Sequence, residues 1–370
     1  MRVLMLTTNA SLLDGINRHI LSVAPALNAR EGLEVAVCTV QPEGELAAAL
    51  RARGVAVHSL GCAHGHALRI LPRFSRVLRT FRPDVVHVHV LALMERVVLA
   101  MTARRVRVVQ TVHGISDPVA SPTFRMRVET LLQRVFAVRV DARCHVSRGV
   151  RAAVGKSDDP VIYNPIGLDE PVEKGRLRAE LGVPSEVRLV GTACRIADVK
   201  NPTAFTRVMC GVLARVPTAH AVVMGTGPDG IESELHRIVD AQGVADRLHF
   251  LGYRSDARQL VADLDCFVLT SRREGMPTSV LEAMAAQVPV AMWTGEGGLG
   301  DLAELERTEG PALLLAEQGD ENGLVDRICS LWGTDGAGLR LAERAQALCR
   351  RHFSLDTVTA QLEKVYHTVA

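Results

Sequence analysis

Short apolar runs rich in Val, Ile and Leu recur along the whole chain, each followed by a longer amphipathic stretch, and this rhythm restricts the fold more than any other feature. Continuous β-branched runs are what a strand needs when helices cover both faces of a parallel sheet. In the first half such runs fall at 3–7, 34–39, 55–59, 85–88, 106–112 and 142–146. Helical periodicity fills gaps at 17–30, 71–81 and 124–135. The pattern restarts at 188–193, 219–224, 247–251, 266–270, 288–292 and 312–315. Between the two series, 163–184 is rich in Pro, Gly and charge and has no clear period, which places a hinge there. A chain of 370 residues is also long for one core. The expectation is an α/β protein of two Rossmann-like doubly wound domains, 1–165 and 166–354, with a terminal helix at 355–370 packing back on the first.

Composition narrows the class. Aromatic residues make up only 4%, too few for stacking platforms that bind single-stranded nucleic acid. No apolar run approaches the roughly 18 residues that cross a bilayer, and the N-terminus turns polar at Thr7–Asn9, too early for a secretory signal. The eight cysteines are scattered without a C-x-x-C pair, so a reduced, cytoplasmic protein without structural zinc is expected. The net charge of +2 hides an asymmetry. Residues 1–165 hold 22 Lys and Arg against 12 Asp and Glu, an excess of +10; the rest hold 21 against 29, or −8. A basic half suits an anionic partner such as a phosphate-bearing acceptor or a membrane surface, and equally a solvated face. The helix expected at 68–82 poses the same choice. Ile70, Phe74, Val77 and Phe81 share one side and Arg69, Arg73 and Arg76 the other, as on a membrane-surface helix or one packed on its own sheet.

The strongest local signal is the stretch 271–286, Ser-Arg-Arg-Glu-Gly-Met-Pro-Thr-Ser-Val-Leu-Glu-Ala-Met-Ala-Ala, directly after the expected strand 266–270. Ligands of open α/β sheets bind at such carboxyl ends. Glu274 and Glu282 are eight residues apart, so both address one side. Gly275 permits close backbone approach, and the amides of Met276, Thr278 and Ser279 lie at a helix N-terminus that favours phosphate. Pro277 suits a first helical turn.

This block resembles the E-x7-E signature of retaining glycosyltransferases with the GT-B fold, family 4 type. The resemblance implies two Rossmann-like domains facing across a cleft, the first binding acceptor and the second donor. It gives Glu274 the donor-sugar hydroxyls and Glu282 the nucleotide ribose. The turn 191–201, Gly-Thr-Ala-Cys-Arg-Ile-Ala-Asp-Val-Lys-Asn, is similar to the family's diphosphate clamp, which Arg195 and Lys200 would supply. Only four lysines occur against 39 arginines, so Lys200 at that spacing is informative. Asp14-Gly-Ile-Asn-Arg-His19 is similar to the family's G-G-x-E-R-H turn, with Asp14 for the first glycine and Asn17 for the glutamate. Gly15 would approach the diphosphate or acceptor. Asp84–His89, Thr111–Gly114, Val146-Ser147 and Ile162–Pro165 match further positions, and His113 stands where the family's histidine faces the reacting sugar. Gln287 replaces a usual glycine, and 295–298 only loosely matches a late glycine-rich segment.

Three motifs invite other readings. Gly225-Thr-Gly-Pro-Asp-Gly230 fits a dinucleotide fingerprint, but the following strand ends at Gly252-Tyr253 without the acidic residue such a site uses. Gly225 and Gly227 are therefore expected to line the nucleotide pocket. Asp263-Leu-Asp265 has the spacing of a metal-binding D-x-D, yet it precedes a buried strand. His87 and His89 form an H-x-H at a strand end, a pattern more often found in a core than around a metal. The resemblance implies a metal-independent hexosyltransferase, with no cofactor beyond its nucleotide-diphosphate sugar, a UDP-sugar favoured. A glycan or lipid-phosphate-linked acceptor would take the sugar, in bacterial polysaccharide or lipopolysaccharide synthesis. A nucleotide-sugar epimerase of the same fold and a non-catalytic sugar-nucleotide binding protein are the alternatives.

Overall fold

The computed structural model describes residues 1–12, 15–62, 67–90, 93–102, 106–114, 131–132, 134–136, 138–167, 174–333 and 336–370. Asp14 and most of the helix expected at 124–135 lie outside the described residues. The chain forms two compact units, Met1–Pro165 with Leu355–Ala370, and Ile166–Ser354.

The first unit holds six parallel strands, β1 (Arg2–Thr7), β2 (Glu34–Thr39), β3 (Ala56–Ser59), β4 (Val85–Val88), β5 (Arg107–Val112) and β6 (Ala142–His145), in the order β3-β2-β1-β4-β5-β6. Successive side chains leave opposite faces of the sheet. Val3, Met5, Val35, Val37 and Val85 join one apolar cluster; Leu4, Leu6, Ala36, Cys38 and Val86 join another. Helix Gly15–Asn28 and the terminal helix Leu355–Val369 cover the first face through Ile20, Val23, Leu27, Val358, Leu362 and Tyr366. Arg30 Nε donates to Glu363 Oε2 at 2.6 Å beside them. Helix Ala67–Phe81 covers the other face with Ile70, Phe74, Val77 and Phe81, and Arg73 Nη1 donates to the Leu60 carbonyl at 2.6 Å. The apolar side of this helix is thus occupied by its own sheet.

The second unit repeats the topology with β7 (Leu189–Ala193), β8 (His220–Met224), β9 (Leu248–Phe250), β10 (Cys266–Leu269), β12 (Val290–Trp293) and β14 (Leu314–Ala316), ordered β14-β12-β10-β7-β8-β9. Two short strands, β11 (Arg273–Glu274) and β13 (Glu296–Gly297), form a separate parallel pair that the sequence pattern did not announce. Among the described residues no helix is long and apolar enough to cross a membrane, and all eight cysteines are free.

The stretch 163–184, expected to be irregular, contains the helix Arg176–Leu181. Six residues are too few to display a period. Gly175 and Gly182, both left-handed at φ 98° and 64°, set its ends. Asp263 caps its start: Oδ2 accepts the Leu177 amide at 2.6 Å, and Oδ1 accepts the Gly175 amide. Asp265 accepts from Arg178 at 2.6 Å and from the Leu189 amide at 2.7 Å, with Arg188 at 3.4 Å. Every carboxylate oxygen of the D-x-D motif is engaged in holding the fold.

Candidate active site

In each sheet the chain reverses direction of progress once, between β1 and β4 and between β7 and β10. Loops leaving neighbouring strands at such a point diverge and open a crevice at their carboxyl ends. Most of the chemistry expected from the sequence sits on the loops that leave these four strands.

In the second unit the loop after β7 and the loop after β10 are stitched together. The Arg272 amide donates to Val199 O at 2.9 Å, and Thr270 Oγ1 donates to Asn201 O at 3.1 Å. This brings Lys200 Nζ to 2.5 Å from Glu274 Oε1, which also accepts from Ser271 Oγ at 2.6 Å. The pair is 20% and 10% exposed, so water screens it little. Arg195 is exposed on the same loop, and Glu282 is half-buried on helix Thr278–Ala285. Pro277 occupies the cap of that helix rather than its first turn, and its carbonyl accepts the Val280 and Leu281 amides. The first amides, of Thr278 and Ser279, lack intrahelical acceptors, the arrangement that favours an anion at a helix N-terminus.

Glycines permit this closeness. A Cβ on Gly297 would stand 2.0 Å from Glu274 O, and one on Gly298 would stand 2.6 Å from Gly275 O, so the 295–298 segment can seat directly against the Glu274 block. Gly225, at φ 155°, passes the 194–196 loop so tightly that a Cβ would fall 1.8 Å from Cys194 O. Gly227 packs against Ile196, and its amide donates to Glu232 Oε1 at 2.7 Å. These two glycines shape the clamp loop from behind, and the Gly227 amide is already engaged.

In the first unit, helix Gly15–Asn28 starts beyond β1, and a Cβ on Gly15 would meet no atom of the described residues within 4 Å. Asn17, standing where the resembling turn carries a glutamate, is fully buried and organises that loop. Its Oδ1 accepts from Thr7 Oγ1 at 2.9 Å, while Nδ2 donates to Asn9 Oδ1 and to Ser11 O at 2.5 and 2.9 Å. Glu95, fully buried, accepts from Thr8 Oγ1 at 2.6 Å on Oε1; its Oε2 has no hydrogen-bond partner among the described residues.

His113 leads a cluster. Its Nε2 lies 3.0 Å from His89 Nδ1, and the His19 ring stands 5.0 Å from the His113 ring and 5.3 Å from that of His89. His87 is a core histidine held at both nitrogens, by Tyr366 Oη at 2.6 Å and Thr111 Oγ1 at 2.8 Å. Burial holds all four imidazoles neutral: His87 falls to about 3 and His19 to about 4, and His89 and His113 lie well below 6.5. Asn164 lies beside His19 without a hydrogen bond of good geometry. Sequence reading singled out His113 but gave no role to His19, His89 or Ser271. His19 comes from helix Gly15–Asn28, and His89 and His113 come from the loops after β4 and β5, so that only the strand order makes them neighbours.

Comparison with known proteins identifies the family of both halves of the chain. Residues 14–165 match the glycosyl transferase 4-like domain and residues 187–334 match glycosyl transferases group 1. The chain is 23% identical to the N-acetyl-alpha-D-glucosaminyl L-malate synthase of Bacillus anthracis over 311 residues, 82% of this chain and 79% of that protein. It is 29% identical to the lipopolysaccharide core biosynthesis mannosyltransferase LpsB of Rhizobium meliloti over 204 residues, 54% of this chain and 57% of that one. The crystal structure of Anabaena HepE in complex with UDP superposes over the full length of both chains with a TM-score of 0.79 at 22% identity.

Proposed function

Because the chain belongs to the GT-B glycosyltransferases of family 4 type, we propose that it moves a hexose or N-acetylhexosamine from a nucleoside-diphosphate sugar to a glycan or lipid-linked acceptor, with retention at the anomeric carbon. The setting is bacterial polysaccharide or lipopolysaccharide synthesis, as the names of its relatives suggest. In this reading the second unit binds the donor and the first the acceptor. UDP is the favoured nucleotide, supported by the UDP complex of the structural relative.

One observation carries the assignment: Lys200 Nζ and Glu274 Oε1 are 2.5 Å apart. A nucleotide sugar joins its phosphate to its sugar through a single glycosidic oxygen. A cation for the phosphate and a carboxylate for the sugar hydroxyls must therefore be immediate neighbours. Arg195, Lys200 and the Thr278 and Ser279 amides stabilise the leaving diphosphate as the anomeric C–O bond breaks. The acceptor oxygen attacks on the same face and passes its proton to the departing phosphate oxygen. Glu282 takes the ribose, while Gly15 and His113 keep the roles that the resemblance gives them. Fixed cations and amides do the work of a metal, so transfer needs none.

The test is a thermal-shift screen of UDP-, GDP-, ADP- and dTDP-sugars in excess EDTA, followed by hydrolysis and transfer assays. One nucleotide class should stabilise the chain by about 2.7 kcal/mol at a hundredfold excess over Kd. Lys200→Ala and Arg195→Ala should each lower turnover by roughly one to three decades while the fold survives. Near-normal turnover in both, or loss of activity in EDTA that Mn²⁺ restores, would remove the clamp assignment.

A further inference from the structure

Among the described residues most close groupings of titratable side chains are satisfied internally. Asp263 and Asp265 are filled by amides and arginines, and His87 by Tyr366 and Thr111. His220 and His249 pair with each other at 2.9 Å. One cluster concentrates orphaned nitrogens: among the described residues His19, 7% exposed, finds no partner for either ring nitrogen, and His89, 4% exposed, finds none for Nε2. Orphaned buried nitrogens cost free energy and call for a ligand. One ring nitrogen each from His19, His89 and His113 lies within 4.8 Å of those from the other two, the only such trio among the described residues.

We propose that His19, His89 and His113 bind one divalent transition-metal ion of the zinc type, and that this ion inhibits transfer. Three imidazoles with no carboxylate or thiolate form a nitrogen donor set, which suits Zn²⁺, Co²⁺, Ni²⁺ or Cu²⁺ and not the oxygen-seeking Mg²⁺ or Ca²⁺. Zinc–nitrogen bonds of about 2.0–2.1 Å put tetrahedral ligand atoms about 3.3 Å apart. Closing from 4.8 Å takes about 1.5 Å, within reach of ring rotation. His113 meets His89 through Nε2, and it is the least buried of the three. Burial keeps the rings neutral, so the ion displaces no proton at neutral pH. The inhibitory half of the proposal rests on the reading that His113 faces the reacting sugar.

Chelator-treated full-length protein is titrated with Co²⁺, followed by its visible d–d absorption, and with Zn²⁺ by calorimetry. One equivalent per chain should bind with a tetrahedral Co²⁺ spectrum. His19→Ala and His89→Ala should each weaken binding more than about tenfold, since even groups supporting a metal ligand cost that much. His249→Ala, which breaks the other histidine pair, should not. Circular dichroism checks folding, and His89→Gln serves if His89→Ala does not fold. Absent stoichiometric binding, or binding that survives loss of His19 and of His89, overturns the site. Separately, stoichiometric Zn²⁺ should suppress transfer and EDTA restore it. Binding that leaves transfer unchanged overturns the inhibitory half alone, and with it the place given to His113.

Discussion

Replacing Asp263 with alanine tests whether the D-x-D motif is structural or a metal site. The carboxylate is 6% exposed and accepts the amides of Gly175 and Leu177 at the start of helix Arg176–Leu181. A six-residue helix does not stand alone in water, so its docking depends on such contacts. Hydrogen bonds to a charged group contribute about 1.5–3 kcal/mol each. The Gly175 amide can recover water because Gly175 is exposed, whereas the Leu177 amide is buried and cannot. The expected loss is therefore about 2–4 kcal/mol, below the full sum of two charged bonds. For a unit of this size that lowers Tm by about 5–12 °C. Differential scanning calorimetry of wild type and Asp263→Ala, each with and without EDTA, reads the effect. EDTA should not bring the wild-type transition of the second unit down to that of the variant. A fall of less than about 2 °C in the variant, or a wild-type transition that EDTA lowers to the variant's value, would refute the capping argument.

Two further outcomes are expected. Glu282→Ala should mainly raise donor KM, because the ribose changes little during reaction, whereas Glu274→Ala should lower kcat more than it weakens binding of free nucleoside diphosphate. Steady-state kinetics beside calorimetric nucleotide affinity separates the two, and weakened nucleotide binding with intact kcat in Glu274→Ala would overturn both roles. Gln287→Gly should stabilise the protein by about 0–1.6 kcal/mol. It releases about 1–2 kcal/mol of left-handed strain and gives back about 0.4–1 through unfolded-state freedom. Chemical denaturation of the two proteins measures it, and clear destabilisation would count against strain at that position.

What the sequence discloses here depends on how local the cause is. Both doubly wound sheets are legible because their central strands are buried on two faces, and that demand is written into contiguous residues such as Val85–Val88. Helix Arg176–Leu181 is not, since its cap lies 86 residues away at Asp263. The same division runs through the site. Glu274, Gly275 and the Thr278 amide lie on one continuous turn, so the block 271–286 declares itself. The Lys200–Glu274 pair spans 74 residues and the His89–His113 contact 24, and only the strand order makes either a contact. Departures from the resembling pattern divide in the same way. Gln287 sits at φ 55°, with its amide bonded to Met284 O and Val288 bonded to Ala283 O. It therefore adopts the left-handed turn that a glycine would take there, and the substitution alters strain at a helix end rather than the chemistry of the site. Asn17 is the opposite case. It stands in place of a charged residue, and its carboxamide both accepts from Thr7 and donates to Asn9 and Ser11. A carboxylate, which only accepts, could not hold those backbone and side-chain oxygens, so Asn17 makes bonds to Asn9 and Ser11 that a glutamate there could not make.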